Sequence, residues 1–424
     1  MIKSFFYILG VVALIAATVA LVAPSLSKDK WVEQAKLSSD KKAHRFAEEI
    51  AIDKDTAVVG APGYRLPNIR YSSSGAAIVY TRSENTWREQ AKLFLPQTER
   101  NNYNSFGSSV AIDGDTILVA AKLLADDNPY NVPLFVFTRS GRTWTLQAQL
   151  ALPHPLKFKL FIKSVALKGH TAVAVAGGRI LVFRRHATSG IWSYEATLSR
   201  PKPSNRQCDD PRFGGSYNGN SVAIDGNTII VSAGGRVNCP YAYVFVQKEA
   251  SGSWLLQAEL TLHPREVVDK TAVAISGNTA VIGFPGDFVE RGAAYVYERD
   301  IATGNWSKQA KLVPNDVPPL LTYGFGASVA IDGNTVVVGC NRHAIQAILL
   351  PTKIQKAAYV FVRPPGASSW SQPVKLIPRD YNKYVAEFYG QRVDVSGERV
   401  MVNTDDMFNT AYIFQRVNSQ KPAN

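Results

Sequence analysis

The sequence predicts an all-β fold, a seven-bladed β-propeller with four antiparallel strands in each blade. Three observations support this prediction: seven tryptophans recur 48 to 64 residues apart, each opens a strand-like segment of similar sequence, and one such segment stands alone before the first complete repeat. The tryptophans are Trp31, Trp87, Trp144, Trp192, Trp254, Trp306 and Trp370. Repeats of this length that contain four short strands are typical of propeller blades.

The tryptophan segment is predicted to be the fourth strand of each blade. Trp31 to Leu37 reads WVEQAKL, Trp87 to Leu93 reads WREQAKL, and Trp306 to Leu312 reads WSKQAKL, whereas Trp370 to Leu376 is a weaker copy, WSQPVKL. Trp, Ala and Leu alternate with polar residues in these segments. Such alternation indicates a strand that is buried on one face.

Three further strands are predicted between consecutive tryptophan segments. In the second repeat the first strand is Ser109 to Asp113 (SVAID), the second is Thr116 to Val119, and the third is Leu134 to Phe137. Gly114-Asp115 joins the first two, and Gly-Asp is suited to the positive φ angles of a two-residue hairpin. The second strand is apolar throughout, so we expect both of its faces to be buried.

The two ends of the repeat region predict how the ring closes. The segment from Trp31 to Leu37 has no blade of its own, and the last repeat, Phe388 to Arg416, has three strands and no tryptophan. We therefore expect the N-terminal strand to complete the last blade, which leaves no exposed sheet edge. Residues 31–424 are predicted to form one monomeric propeller.

The N-terminal residues differ from the repeats. Residues 5–23 form a run without charge, which is longer than most secretory signals and close to the length of a spanning helix. We interpret residues 1–24 as a hydrophobic signal or anchor, with an uncleaved anchor favoured over a cleaved signal, and residues 25–30 as a linker. Both alternatives direct the chain to a membrane, with the propeller outside the cytoplasm.

The repeats resemble FG-GAP repeats, in particular the bacterial type whose copies end in a W-x-x-Q-A-K-L strand. The Phe-Gly element occurs at Phe106-Gly107, Phe213-Gly214 and Phe325-Gly326, and the Gly-Ala-Pro element at Gly60-Ala61-Pro62. The resemblance covers residues 31–416 and extends, more distantly, to the head of the integrin α-subunit. It implies an extracellular propeller that serves recognition or adhesion, and it implies no reaction.

Integrin-type repeats bind calcium through several carboxylates in one loop, and the corresponding turns here are too short for this. Asp53-Lys54-Asp55 and Asp113-Gly114-Asp115 contain two carboxylates each, and the turns at Asp225 and Asp332 contain one. Calcium requires six to eight oxygen ligands. We therefore predict neither a metal site nor a cofactor.

The predicted topology places the long, irregular loops on one face of the propeller, which we call the long-loop face, and the tight first turns on the opposite face, the hairpin face. Basic residues and tyrosines, among them Lys163 and Tyr64, recur on the long-loop face. The proposed ligand-binding residues are Arg65, Arg70, Tyr71, Arg236, Arg342, Lys353 and Lys356. A basic face with aromatic residues suits an anionic polysaccharide, an anionic cell surface or an acidic protein. Nucleic acid is not an expected partner.

The chain contains three cysteines, and two of them are predicted to lie on the long-loop face of one blade. Cys208 and Cys239 could form a disulfide there in an oxidising compartment, and the sequence leaves open whether they do. Cys340 ends a second strand and is expected to be buried.

The leading functional hypothesis is a non-catalytic binding or adhesion module that meets a carbohydrate, anionic or protein partner through the long-loop face. One alternative is a polysaccharide-acting hydrolase or lyase, for which Asp209, Asp210 and Glu290 are the candidate carboxylates, and another is a structural envelope scaffold. The histidines predicted on the long-loop face are His44, His154, His263 and His343. No nucleophile or carboxylate motif accompanies them, so the chain is not predicted to be an enzyme.

Overall fold

The computed structural model describes residues 30–39, 43–66, 74–100, 103–123, 131–154, 161–176, 178–199, 221–233, 240–261, 271–285, 292–316, 324–340, 357–380, 389–404 and 410–417. These residues form 30 β-strands, numbered in chain order, and one 3-10 helix, Gln97–Glu99. Seven sheets of four antiparallel strands form the blades, so the predicted fold class is confirmed. A separate two-stranded pair, β2 (Ala43–His44) with β5 (Gly63–Tyr64), lies beside the first blade.

In blades 1 to 6 the strands run from the inner to the outer edge in sequence order. Blades 1 to 3 are β3 (Glu49–Asp53), β4 (Thr56–Ala61), β6 (Ala76–Ser83) and β7 (Thr86–Leu93); β8 (Tyr103–Asp113), β9 (Thr116–Leu123), β10 (Asn131–Ser140) and β11 (Thr143–Ala151); and β12 (Ile162–Lys168), β13 (Thr171–Ala176), β14 (Arg179–Arg185) and β15 (Trp192–Leu198).

Blades 4 to 6 follow the same order. They are β16 (Val222–Asp225), β17 (Thr228–Ser232), β18 (Pro240–Gln247) and β19 (Trp254–Thr261); β20 (Ala272–Ser276), β21 (Thr279–Phe284), β22 (Ala293–Arg299) and β23 (Trp306–Leu312); and β24 (Phe325–Asp332), β25 (Thr335–Cys340), β26 (Ala358–Val362) and β27 (Val374–Leu376).

Blade 7 contains both ends of the repeat region, as the lone N-terminal segment predicts. Its strands are β28 (Tyr389–Ser396), β29 (Arg399–Thr404), β30 (Thr410–Val417) and β1 (Lys30–Ser38). Strand β1 pairs antiparallel with β30 over its whole length. The inner strands contact one another in a closed cycle in which β28 meets β3, so the ring is complete.

One predicted strand is wrong in its bounds. The segment beginning at Trp370 was expected to be a strand from its first residue, but β27 begins at Val374. Pro373 stands where the other copies have glutamine or glutamate. Because proline has no N–H to donate to the sheet, the outer strand of blade 6 is shortened to the residues that follow it.

The hydrophobic core lies between consecutive blades. The second strands are buried on both faces, as predicted; every residue of Thr56–Ala61 and of Thr335–Cys340 is buried. Each cluster joins the facing sides of two neighbours, as where Ala166 of blade 3 packs with Val222 and Ile224 of blade 4. Cys340 is buried, in agreement with the sequence-based expectation.

The W-x-x-Q motif connects one blade to the next. In blades 1 to 5 the tryptophan Nε1 donates to the glutamine or glutamate of the preceding outer strand. The bonds are Trp87 to Gln34 (3.0 Å), Trp144 to Gln90 (2.8 Å), Trp192 to Gln147 (3.0 Å), Trp254 to Glu195 (2.9 Å) and Trp306 to Gln257 (3.0 Å). In each outer strand that supplies an acceptor, the pairing register shifts at the acceptor residue. In blade 1, for example, the shift lies between Val79 and Tyr80, opposite Gln90. A bulge re-aims a side chain, and here it turns the acceptor towards the neighbouring blade.

Candidate functional site

The carboxylates of the hairpin face hold consecutive blades together. The aspartate that ends an inner strand accepts a hydrogen bond from the turn glycine N–H of the next blade. These bonds are Gly114 to Asp53 (2.8 Å), Gly169 to Asp113 (2.8 Å), Gly277 to Asp225 (2.6 Å) and Gly397 to Asp332 (2.6 Å). The aspartate of the repeated SVAID segment is therefore explained by contacts between blades.

Blade 3 has a lysine in place of this aspartate. The Lys168 Nζ lies 3.1 Å from Oδ1 of Asp113, in the preceding blade. Burial alone would lower the pKa of Lys168, but the hydrogen bond and the charge of Asp113 outweigh burial and raise the pKa above its ordinary value. Asp113 therefore contacts blade 3 twice, through the Gly169 N–H and through Lys168.

The second carboxylate of the Asp-x-Asp turns is also engaged. Asp55 Oδ1 accepts from Arg82 Nε at 2.7 Å, and Asp115 Oδ1 accepts from Arg139 Nε at 2.7 Å. Both arginines lie at the end of a third strand, so these bonds stay within one blade. In the part of the chain that the structure describes, no cluster of three or more His, Cys, Asp or Glu side chains could hold a metal ion.

The Phe-Gly and Gly-Ala-Pro elements meet across blades on the long-loop face. A Cβ atom added to Gly60 would lie 2.2 Å from the carbonyl oxygen of Gly107, and one added to Gly283 would lie 2.1 Å from that of Gly326. Real Cβ atoms do not approach this closely, so the contact requires glycine at Gly60 and Gly283. The backbone beneath the long loops is thereby fixed from one blade to the next.

The sequence reasoning missed the corresponding element of blade 1. Phe46 and Ala47 occupy the Phe-Gly position, and Ala47 has a φ of 64°, in the left-handed region where glycine is favoured. The carbonyl oxygen of Ala47 accepts a bond of 2.7 Å from Asn403 Nδ2 of blade 7. This bond belongs to the interface where the ring closes. The spacing from Phe46 to Glu49 equals that from Phe106 to Ser109, which is the signal that would have identified it.

The structure describes one of the seven proposed ligand-binding residues. Arg65 is exposed and directly follows β5 on the long-loop face. Tyr64 beside it is buried and packs on Phe94, so the expectation of an exposed aromatic residue at this position is wrong. The residues that lie outside the described ranges are Arg70, Tyr71, Arg236, Arg342, Lys353 and Lys356, the cysteines Cys208 and Cys239, the candidate carboxylates Asp209, Asp210 and Glu290, the histidines His263 and His343, and Phe213-Gly214.

The inner strands enclose a central channel with a cavity of about 350 Å³. Small and aliphatic residues of the inner strands line most of it. Among the described residues, four charged side chains also line the cavity: Glu49, Lys163, Arg392 and Asp394. Arg392 Nε donates to Glu49 Oε1 at 2.8 Å, and this ion pair joins blade 7 to blade 1. Charge in the channel is therefore concentrated where the ring closes.

Asp394 replaces the alanine found at this position in the other six blades. Its two oxygens accept from the backbone N–H of Ile52, across the closing interface, at 2.7 Å, and from that of Val395 at 2.9 Å. Burial raises the pKa of Asp394 to about 7; the two N–H donors oppose the rise, and the carboxylates of Asp332 and Asp53 add to it. Comparing the segment RVDVS with the SVAID copies would have found this residue in the sequence.

Comparison with known proteins supports the repeat assignment. The family model described as FG-GAP repeat matches residues 87–137 and 306–361, in agreement with the resemblance of the repeats. The comparison with curated proteins gave no match.

Two solved structures from Saccharomyces cerevisiae are similar at 12% identity. A chain of the complex of a Dbp5 variant with Nup159, Gle1, IP6 and ADP has a TM-score of 0.47 over 92% of this chain and 96% of that one. The Sqt1 structure has a TM-score of 0.46 over 91% and 100%. Similarities this distant carry no argument about function.

None of the described residues forms a helix that is long and apolar enough to cross a membrane. The uncharged run of residues 5–23 lies outside the described ranges.

Proposed function

We propose that this FG-GAP-repeat propeller is an exported, membrane-anchored and non-catalytic binding module, which recognises a carbohydrate, an anionic surface or a protein partner through its long-loop face. FG-GAP propellers commonly mediate binding and are typically non-catalytic. The observation that carries the proposal is that the two faces differ in what their residues do. The carboxylates of the first hairpin turns are engaged between and within blades, whereas the long loops start from a backbone platform fixed by the glycine contacts.

A fixed platform favours recognition because a rigid scaffold lowers the entropy lost when its loops bind a partner. The glycine contact of blades 1 and 2 lies at the base of the segment that continues through Arg65, which is exposed. Arg65 therefore represents the proposed binding surface among the described residues.

The channel supports binding over hydrolysis. A hydrolase or lyase needs two carboxylates that can act on a substrate. Of the channel carboxylates, Glu49 is paired with Arg392, and both oxygens of Asp394 accept backbone hydrogen bonds. These hydrogen bonds engage both groups at the closing interface.

The proposal is tested by measuring binding of the full chain in nanodiscs to a panel of glycans and polyanions, at low and at physiological salt. Arg65→Ala should weaken binding about two- to fivefold, as expected of one exposed charge worth up to about 1 kcal/mol. The matched control is Arg142→Ala, because Arg142 is exposed on the hairpin face and should not affect binding. Arg342, Lys353 and Lys356 are the next positions to replace.

Absence of selective binding at physiological salt would contradict the proposal, since purely electrostatic attraction fades as salt screens exposed charges. An equal loss for Arg65→Ala and Arg142→Ala would also contradict it, because the effect would then reflect net charge and not the long-loop face.

A further inference from the structure

The direction of β1 ties the hydrophobic N-terminal segment to one face of the propeller. Lys30, at the start of β1, pairs with Val417, and Ser38, at its end, pairs with Thr410. The adjacent Arg416 donates its N–H to the carbonyl oxygen of Glu398, in the first turn of blade 7, at 2.9 Å. The start of β1 therefore lies at the hairpin face.

The chain between this point and the uncharged run is short. Residues 24–29 separate residues 5–23 from β1. Six residues span at most about 20 Å even when fully extended. If residues 5–23 are held in a membrane, the hairpin face at blade 7 must therefore stay within that distance of the lipid surface.

Exposed apolar side chains are also concentrated towards the hairpin face. Among the described residues, Ile301 is 84% exposed and Ile191 is 65% exposed, and both lie in turns between third and fourth strands, which belong to this face. Val417 ends the third strand of blade 7, and Leu146, Leu255 and Leu256 lie in the first halves of outer strands. Of the eight large apolar residues that are exposed in the described ranges, Phe161 and Ile377 lie towards the other face.

We infer that the hairpin face rests on the lipid surface and that the long-loop face is presented away from the membrane. The inference rests on the proposed membrane anchoring. Isolated apolar tips in separate blades suit the boundary between lipid headgroups and acyl chains, where each tip can enter a fluid medium independently. A protein partner would instead require a contiguous apolar patch of several hundred square ångströms.

The charges on this face do not decide between the two occupants. Lys54, Arg142 and Lys248 are exposed on its turns, but Glu84 and Glu249 are exposed there as well. The strand direction and the apolar tips carry the inference.

The experiment compares the two ends of one outer strand in the full chain. The two labelling sites are introduced as Asn85→Cys, in the turn before β7, and Gln97→Cys, in the 3-10 helix after β7. Both positions are exposed. Each is introduced into a chain with Cys208→Ser and Cys239→Ser, labelled with a fluorophore and reconstituted into phosphatidylcholine vesicles that carry a nitroxide on some headgroups. Eight strand residues separate the labels by about 27 Å, so quenching should be at least twofold stronger at position 85.

A second pair of variants tests the apolar tips. Ile191→Ser combined with Ile301→Ser should reduce quenching of the label at position 85, because the hairpin face is then held less closely to the lipid. Phe161→Ser is the matched control, since Phe161 is 54% exposed at the opposite face, and it should leave quenching unchanged.

The outcomes separate the inference from the proposed function. A chain that does not float with the vesicles overturns the anchoring, and the orientation falls with it. A chain that floats, but whose label at position 97 is quenched as strongly as the label at position 85, overturns the orientation and leaves the anchoring intact. Glycan binding to the same vesicles reports the proposed recognition independently of both.

Discussion

The hydrogen bond between Trp144 and Gln90 allows the role of the W-x-x-Q motif to be measured. Trp144 is 9% exposed, and its Nε1 donates to Gln90 Oε1 of the preceding blade at 2.8 Å. Gln90→Ala removes the acceptor and leaves a buried N–H without this partner. The expected cost is about 1–3 kcal/mol of unfolding free energy, because the desolvation of the indole N–H is no longer compensated.

A double-mutant cycle isolates this bond from other effects of the substitution. Phenylalanine has no N–H, so in a Trp144→Phe chain the further change Gln90→Ala should cost less than about 0.5 kcal/mol. The coupling free energy between the two positions is then at least about 0.5 kcal/mol. Gln309→Ala is the matched control at the same motif position, because Gln309 is exposed and its Nε2 donates to Ser307 within the same strand.

Urea unfolding of the intact chain in detergent, followed by far-UV circular dichroism, measures these free energies without depending on tryptophan fluorescence. The four proteins of the cycle should show the same slope of free energy against urea, which indicates that the same surface is exposed on unfolding. An additive cycle, with no coupling between positions 90 and 144, would refute the assignment of the glutamine as an acceptor between blades. A loss for Gln309→Ala as large as that for Gln90→Ala would refute it as well.

Three further predictions concern backbone packing, pH and metal. Gly60→Ala should lower the urea midpoint far more than Gly114→Ala, because a Cβ at Gly60 meets a carbonyl oxygen at 2.2 Å. A Cβ at Gly114 meets nothing within 4 Å, so that substitution adds only the cost of the positive φ. Equal effects of the two substitutions would contradict the packing role of Gly60. The raised pKa of Asp394, about 7, means that the folded chain binds one more proton than the unfolded chain between about pH 4 and pH 7, so the unfolding free energy should fall as pH rises through this window. Asp394→Asn should flatten that fall in urea midpoints at pH 5 and pH 8, and an unchanged pH profile would reject the assignment. Calcium or EDTA should leave the melting temperature unchanged, and a rise with calcium would reveal a metal site that the short turns do not predict.

Much of the fold could be predicted because the repeats constrain it many times over. Each copy gives the strand order again, and the lone segment at Trp31 shows how the ring closes. The outer strand of blade 6 is the exception, because it begins at Val374 and not at Trp370. The cause is local and visible in the sequence, since Pro373 has no N–H to donate to the sheet. Blade number, closure and the burial of the second strands therefore follow from the sequence.

The candidate site could be predicted less well, because its contacts join residues about one repeat apart. The sequence contains Gln90 and Trp144 but does not show that they bond to each other across a blade interface. The sequence predicts that Tyr64 lies on an exposed basic and aromatic face, yet the residue is buried against Phe94. Side-chain direction at the ends of irregular loops depends on neighbouring packing, which no local pattern encodes.

The sequence by itself determined the seven-bladed fold, the partition of turns and loops between two faces, and the hydrophobic run that precedes the propeller. Only the tertiary structure decided what the repeated polar residues do. The aspartates that resemble a calcium loop bind the turns of the next blade, and Asp394 meets the N–H of Ile52 at the closing interface. The physical reason is that strand pattern is a local property of the chain, whereas a hydrogen bond between blades exists only once the ring has closed and has removed both partners from water.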